Sequence, residues 1–139
     1  MRILGIDYGD SRTGIAVSDM LGFTAQPVTV ISEKNTLRLI EKIREYVLEY
    51  KVEAIVIGLP RNMNGTVGER GERTLLFAAR LEEEFSIPVI KWDERLTTAS
   101  AHRTLSEANV SGKKRRGILD KIAAVFILQG YLDSKGNKF

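Results

Sequence analysis

The chain has 139 residues, with 21 Lys and Arg against 18 Asp and Glu, one His and no Cys. That length is one domain, 1–139, able to bury roughly two-thirds of its unfolded surface without staples. The missing cysteines exclude a disulfide framework, a zinc-thiolate site and a cysteine nucleophile. No apolar run approaches the ~20 residues that span a bilayer, and no signal core precedes Arg2, so the expectation is a soluble, untargeted, cytoplasmic protein with no membrane partner.

Arg2 to Asp7 reads as a short buried strand ending in an acid, followed by the turn Gly9-Asp10-Ser11-Arg12. An acid at the carboxyl end of such a strand is held at the edge where open α/β sheets bind their ligands. The plainer alternative is that Asp7 only opens the turn. Thr13 to Ser18 is a second strand and Phe23 to Ile31 a third, completing a meander. Pro27 cannot donate to a ladder, which puts the third strand at the sheet edge or breaks it there.

Asn35 caps a helix to about Tyr50, with Leu37, Ile40, Ile43, Val47 and Tyr50 expected on its inner face. Glu53 to Gly58 is an almost unbroken apolar strand of the parallel, doubly covered type. Leu59 to Gly68 is a turn-rich loop, expected to be mobile, and Glu69 to Phe85 a helix with Leu75, Ala78, Leu81 and Phe85 inward. Ile87 to Trp92 is the fifth strand, ending in Asp93-Glu94-Arg95. Thr97 or Thr98 caps a polar helix to about Asn109. A basic loop, Lys113-Lys114-Arg115-Arg116, precedes a last helix from Ile118 to Leu132.

Three meander strands followed by alternating helix and strand specify an α/β fold with a mixed five-stranded sheet flanked by helices. Right-handed crossovers give the order 3-2-1-4-5. The first, fourth and fifth strands are then parallel, so Asp7, the Gly58 to Gly68 loop and Asp93-Glu94 share one edge. Asp120, in the first turn of the last helix, lies on the face of Ala123, Ala124, Ile127 and Tyr131. An acid on that apolar face needs a partner, or else it only complements the helix dipole.

Carboxylates crowded at one edge repel and are stabilised by a hard dication. With oxygen donors and no Cys or His nearby, Mg2+ or Mn2+ is the natural choice. Two such ions promote phosphodiester hydrolysis with little help from other side chains. His102 lies in a polar helix and reads as a surface residue.

Four stretches together resemble a known family. They are Gly5-Ile6-Asp7-Tyr8-Gly9 with Arg12 to Asp19; Ile57-Gly58-Leu59-Pro60 with Asn62-Met63-Asn64-Gly65; Asp93-Glu94-Arg95-Leu96-Thr97-Thr98; and Asp120 with Ala123-Ala124 and Ile127-Leu128-Gln129. Their order and spacing are similar to those of the YqgF (RuvX) family over nearly the whole chain. The resemblance implies an RNase H-like fold related to the RuvC junction resolvases. It also implies a cytoplasmic, metal-dependent nuclease acting on Holliday junctions or on the 5' end of pre-16S ribosomal RNA. It implies Asp7, Glu94 and Asp120 as the catalytic, metal-holding acids; neighbours at a strand end face opposite ways, which leaves Asp93 as the alternative to the favoured Glu94.

The remaining motifs read as a nucleic-acid surface for structured RNA or branched DNA. Arg12, Arg61, Asn62 and Asn64, then Arg95, Thr97 and Thr98, and last Lys113, Lys114, Arg115 and Arg116 are the expected phosphate contacts. Symmetric junction cleavage asks for a homodimer, whereas RNA processing does not. Two rivals stand beside this reading. One is a fragment of the actin, heat-shock chaperone and sugar-kinase group, which needs a second domain. The other is a non-catalytic RNA-binding module with a structural ion.

Overall fold

The structure, a computed structural model, describes the backbone of residues 1–96 and 112–136 and the side chains of residues 1–96 and 121–135. The expected helix from Thr97 or Thr98 to Asn109 lies outside the described residues. Strands β1 (Arg2–Asp7), β2 (Arg12–Ser18) and β3 (Ala25–Ser32) form the meander, followed by α1 (Thr36–Glu49), β4 (Val52–Leu59), α2 (Glu69–Phe85) and β5 (Val89–Asp93). A single 3-10 turn, Glu94–Leu96, follows β5, and α3 (Gly112–Gly136) is the final helix.

The sheet order is β3-β2-β1-β4-β5, as the connection rules require. β1 pairs antiparallel with β2 and parallel with β4, and β4 parallel with β5. β1 and β4 are buried almost throughout because helices cover both faces of the sheet. Side chains alternate across a strand, so Leu4 and Ile6 join Ile55, Ile57 and the α1 and α2 residues Ile40, Ile43, Phe77 and Leu81 on one face. Ile3, Ala16, Val56, Ala124, Ile127 and Leu128 form a smaller core under α3 on the other.

Local signals account for the helix starts. The Asn35 side chain accepts the Arg38 amide at 3.1 Å and caps α1. Glu69 and Glu72 occupy the first turn of α2, where the dipole favours acids. The inner faces differ from expectation. Leu39 replaces Leu37, which is 61% exposed, and Phe77 and Thr74 replace Leu75, because the buried stripe is rotated by up to two positions. Tyr46, Val47, Tyr50 and Phe85 pack only partly buried at its margin.

Boundaries also shift, the fifth strand starting at Val89 rather than Ile87 and the last helix ending at Gly136 rather than Leu132. The third strand starts at Ala25, not Phe23, since the Asp19 carboxylate takes the amides of Phe23 and Thr24 into the turn. The basic run Lys113 to Arg116 belongs to α3 rather than to a loop, because Lys and Arg are good helix formers and carry the helix back to Gly112. Among the described residues no helix is long and apolar enough to cross a membrane.

Candidate active edge

β1 delivers Asp7 to the carboxyl edge of the sheet. Alternation from Ile3 through Gly5 puts its side chain on the α3 face, where the residue is only 7% exposed. The pairing Ile6 with Ile57 makes Gly58 the β4 neighbour of Asp7, across the ~4.8 Å that separates adjacent strands.

Gly58 is the cradle for the second acid. A Cβ there would stand 2.9 Å from Glu94 Oε1, 3.1 Å from Glu94 Cγ and 2.5 Å from Ile127 Cδ1. The Glu94 carboxylate therefore rests on bare backbone beside the strand end that carries Asp7. Only glycine leaves that space. Gly5 serves α3 in the same way, since a Cβ there would lie 2.7 Å from Leu128 Cβ and 3.1 Å from the Ala124 carbonyl oxygen. The signal in the sequence was a glycine inside an apolar strand, a mark of close approach that the motif reading passed over.

α3 runs from Leu132, packed in the core of Ile3, past Leu128 and Ala124 over Gly5, toward the carboxyl edge. Residue 120 lies four residues, ~6 Å of helix, beyond Ala124, so its backbone heads for the edge that holds Asp7 and Glu94. The Asp120 side chain is outside the described residues. It is not in the first turn, because the helix starts at Gly112, and the dipole explanation loses its basis. Among the described residues no three His, Cys, Asp or Glu side chains cluster to hold a metal. Asp7 and Glu94 both stand at this edge, and the third expected donor belongs to residue 120.

Asp93 and Glu94 part at the end of β5. Asp93 turns to cations: its carboxylate accepts Arg95 Nη2 at 2.7 Å, Arg95 Nε at 3.1 Å to both oxygens, and the Arg95 amide at 3.0 Å. Arg61 Nε lies 3.6 Å away. The Arg95 hydrogen bonds hold the Asp93 carboxyl below its ordinary value against the opposing effect of burial, and Asp93 raises the Arg95 guanidinium in return.

The loop after β4 is tied to itself. Asn62 Nδ2 donates to Thr66 Oγ1 at 2.9 Å, and Asn64 Oδ1 accepts the Thr66 hydroxyl at 2.6 Å and the Thr66 amide at 3.1 Å. Arg61 Nη1 donates to the Gly65 carbonyl at 3.1 Å. The two asparagines thus shape a turn within the loop. Arg12 opens β2 at the same edge, since Asp7 pairs with Gly14. Thr97 and Thr98 lie outside the described residues, as do the side chains of Lys113, Lys114, Arg115 and Arg116.

The donor set suits a hard dication. Asp7 and Glu94 are oxygen donors, and the bare backbone at Gly58 leaves Glu94 room beside Asp7.

The chain is similar to proteins named as pre-16S rRNA nucleases. It is 54% identical to one from Clostridium novyi (strain NT) over 134 residues, covering 96% of this chain and 99% of the relative. It is 55% identical to one from Geobacillus sp. (strain WCH70) over 137 residues, covering 97% and 99%. The fold is similar to that of T. thermophilus RuvC solved in complex with a Holliday junction substrate, with a TM-score of 0.62 at 14% identity, covering 99% of this chain and 96% of that one. It is also similar to the Fowlpox virus resolvase solved with Holliday junction DNA, with a TM-score of 0.55 at 14% identity, covering 97% and 99%. At such identity these structures speak for the RNase H-like fold. The family described as RuvX, Holliday junction resolvase, matches residues 1–134, and with relatives above 50% identity over nearly their full length the chain belongs to that family.

Proposed function

We propose that the protein is a cytoplasmic, divalent-metal-dependent nuclease that hydrolyses phosphodiester bonds in structured nucleic acid, with Asp7, Glu94 and Asp120 as its metal-holding acids. The observation that carries this reading is the Glu94 carboxylate resting on Gly58, beside the strand end that carries Asp7. Mg2+ or Mn2+ held there would supply an activated water and neutralise charge on the leaving oxygen. The residues themselves do the positioning. Burial under α3 holds Asp7 in one place, and the glycine cradle fixes Glu94 beside it. Arg12, Arg61, Arg95 and the Lys113 to Arg116 turn of α3 supply cations for the substrate backbone.

The names of the relatives favour pre-16S rRNA as substrate, and the family description favours the four-way junction. A junction presents two strands for symmetric cleavage, so that reading requires a homodimer. Molecular mass in solution, with and without junction DNA, separates the two.

The decisive experiment titrates Mg2+ and Mn2+ against fluorescent junction DNA and precursor rRNA, comparing the wild type with Asp7→Asn. Cleavage that disappears in the variant while binding persists supports the proposal. Binding without cleavage by the wild type at any ion concentration leaves the non-catalytic module, and equal cleavage by both proteins discards the site.

A further inference from the structure

At the rim where β5 meets the loop after β4, one carboxylate holds two guanidinium groups. Asp93 receives three N–H groups of Arg95, at 2.7 to 3.1 Å, and stands 3.6 Å from Arg61 Nε. Its side chain is 18% exposed, against 34% for Arg61 and 43% for Arg95. The carboxylate lies under the cations, and the cations lie toward solvent. Arg61 is fixed a second time by its hydrogen bond to the Gly65 carbonyl, and Arg95 Nη1 lies 3.5 Å from the position a Cβ would take on Gly65. Both arginines are thereby pinned over the same turn. Two cations on one anion leave an excess of one positive charge, and a guanidinium carries five N–H donors, of which Asp93 and Gly65 use only some.

An exposed ion pair contributes little to stability, so anchorage of the loop is a weak account of this cluster. Orientation is a better one, since a guanidinium held by a carboxylate on one side presents its remaining donors in a fixed fork, the geometry that matches phosphate. Asp93 directly precedes Glu94, so the fork stands beside the candidate acids. Resting on the nuclease reading above, we propose that Asp93 is a positioning residue that aims Arg61 and Arg95 at a backbone phosphate next to the scissile one. It holds no metal in this assignment.

The test turns on a sign. Asp93→Asn removes a negative charge from a surface that binds a polyanion, so if Asp93 merely neutralises its neighbours the variant should bind more tightly. If Asp93 orients them, binding weakens although the net charge is more favourable. The full chain and its variants are titrated with fluorescent junction DNA and precursor rRNA in Mg2+-free buffer for Kd, and in Mg2+ for kcat, KM and half-saturating Mg2+. The expected result is an increase in Kd and KM of about tenfold, the loss of one well-placed charged hydrogen bond, with kcat and half-saturating Mg2+ unchanged. Asp93→Asn in the Arg61→Ala/Arg95→Ala background should weaken binding no further, since Asp93 acts through the two guanidinium groups.

Unchanged or tighter binding by Asp93→Asn overturns the proposal, and so does additive loss in the triple variant. A collapse of kcat with a raised Mg2+ requirement overturns it too, by making Asp93 a metal ligand. Failure of the wild type to bind either nucleic acid overturns this proposal and the nuclease reading together, whereas wild-type binding with indifferent Asp93 variants overturns this one alone.

Discussion

Substituting Gly58 by alanine asks directly whether Glu94 is a working part of the edge. The added methyl meets Ile127 Cδ1 at 2.5 Å, Glu94 Oε1 at 2.9 Å and Glu94 Cγ at 3.1 Å, all inside ordinary van der Waals contact, so both side chains have to move. Overpacking of this kind costs about 1–3 kcal/mol. Replacing a strand glycine returns roughly 0.5–1 kcal/mol of backbone entropy, so a net loss of about 1–2 kcal/mol, or a Tm lowered by roughly 4–10 °C, is expected. Activity should suffer more. The carboxylate is displaced by some tenths of an ångström up to about 1 Å, and misplacement by 1 Å can reduce a rate on the order of 100-fold. The assay is kcat/KM for junction or precursor cleavage beside urea unfolding. Ile43→Val, in the core under α1 and away from the edge, is the control of similar destabilisation. If Gly58→Ala loses stability like Ile43→Val but keeps wild-type kcat/KM and Mg2+ requirement, the Glu94 carboxylate plays no part in catalysis and the geometric argument fails.

Two further outcomes test the fold. Asn35→Ala removes the side chain that accepts the Arg38 amide and should cost about 1 kcal/mol in urea unfolding, with cleavage per folded molecule unchanged; an unaffected midpoint would show that the cap is not stabilising. The Asp19 carboxyl is held below its ordinary value of 3.8, first by the Thr24 amide and also by the Phe23 amide, with burial opposing. A depressed folded value means that its contribution is complete above the ordinary value and is lost as pH falls through the folded one. The stability difference between wild type and Asp19→Ala should therefore hold constant from pH 7 to 5 and shrink below about pH 4; a gap that persists to pH 2 refutes the turn assignment.

The sheet order was legible because it follows from a few strong signals: continuous apolar strands at Ile3 to Ile6 and Ala54 to Ile57, helices between them, and a fixed handedness of crossover. The rotated helix faces were not. Leu37 and Leu39 are the same residue type two positions apart, and only the position of the neighbouring strand decides which one is buried. The basic run was misplaced because Gly112 and Gly117 suggest a loop on local grounds, while helix propensity and the packed segment from Ala123 onward extend the helix backward. At the edge, neighbouring acids announced that charge collects there, yet a carboxylate beside an arginine two residues on reads in sequence like any surface pair. Asp93 and Glu94 differ only in which side of the chain each leaves, and the structure sends Asp93 to Arg95 and Glu94 to Gly58.

Among the described residues the third strand pairs on one side only, with β2, and its ladder slips between Thr29, opposite Ile15, and Pro27, opposite Ala16, leaving Val28 as the extra residue. An unpaired strand flank invites a stranger to zip alongside it, and here the missing amide of Pro27 and the local kink at Val28 interrupt the row of donors that such templating needs. Concentrated solutions of the folded chain are thereby guarded against ribbon-like clumping at this flank.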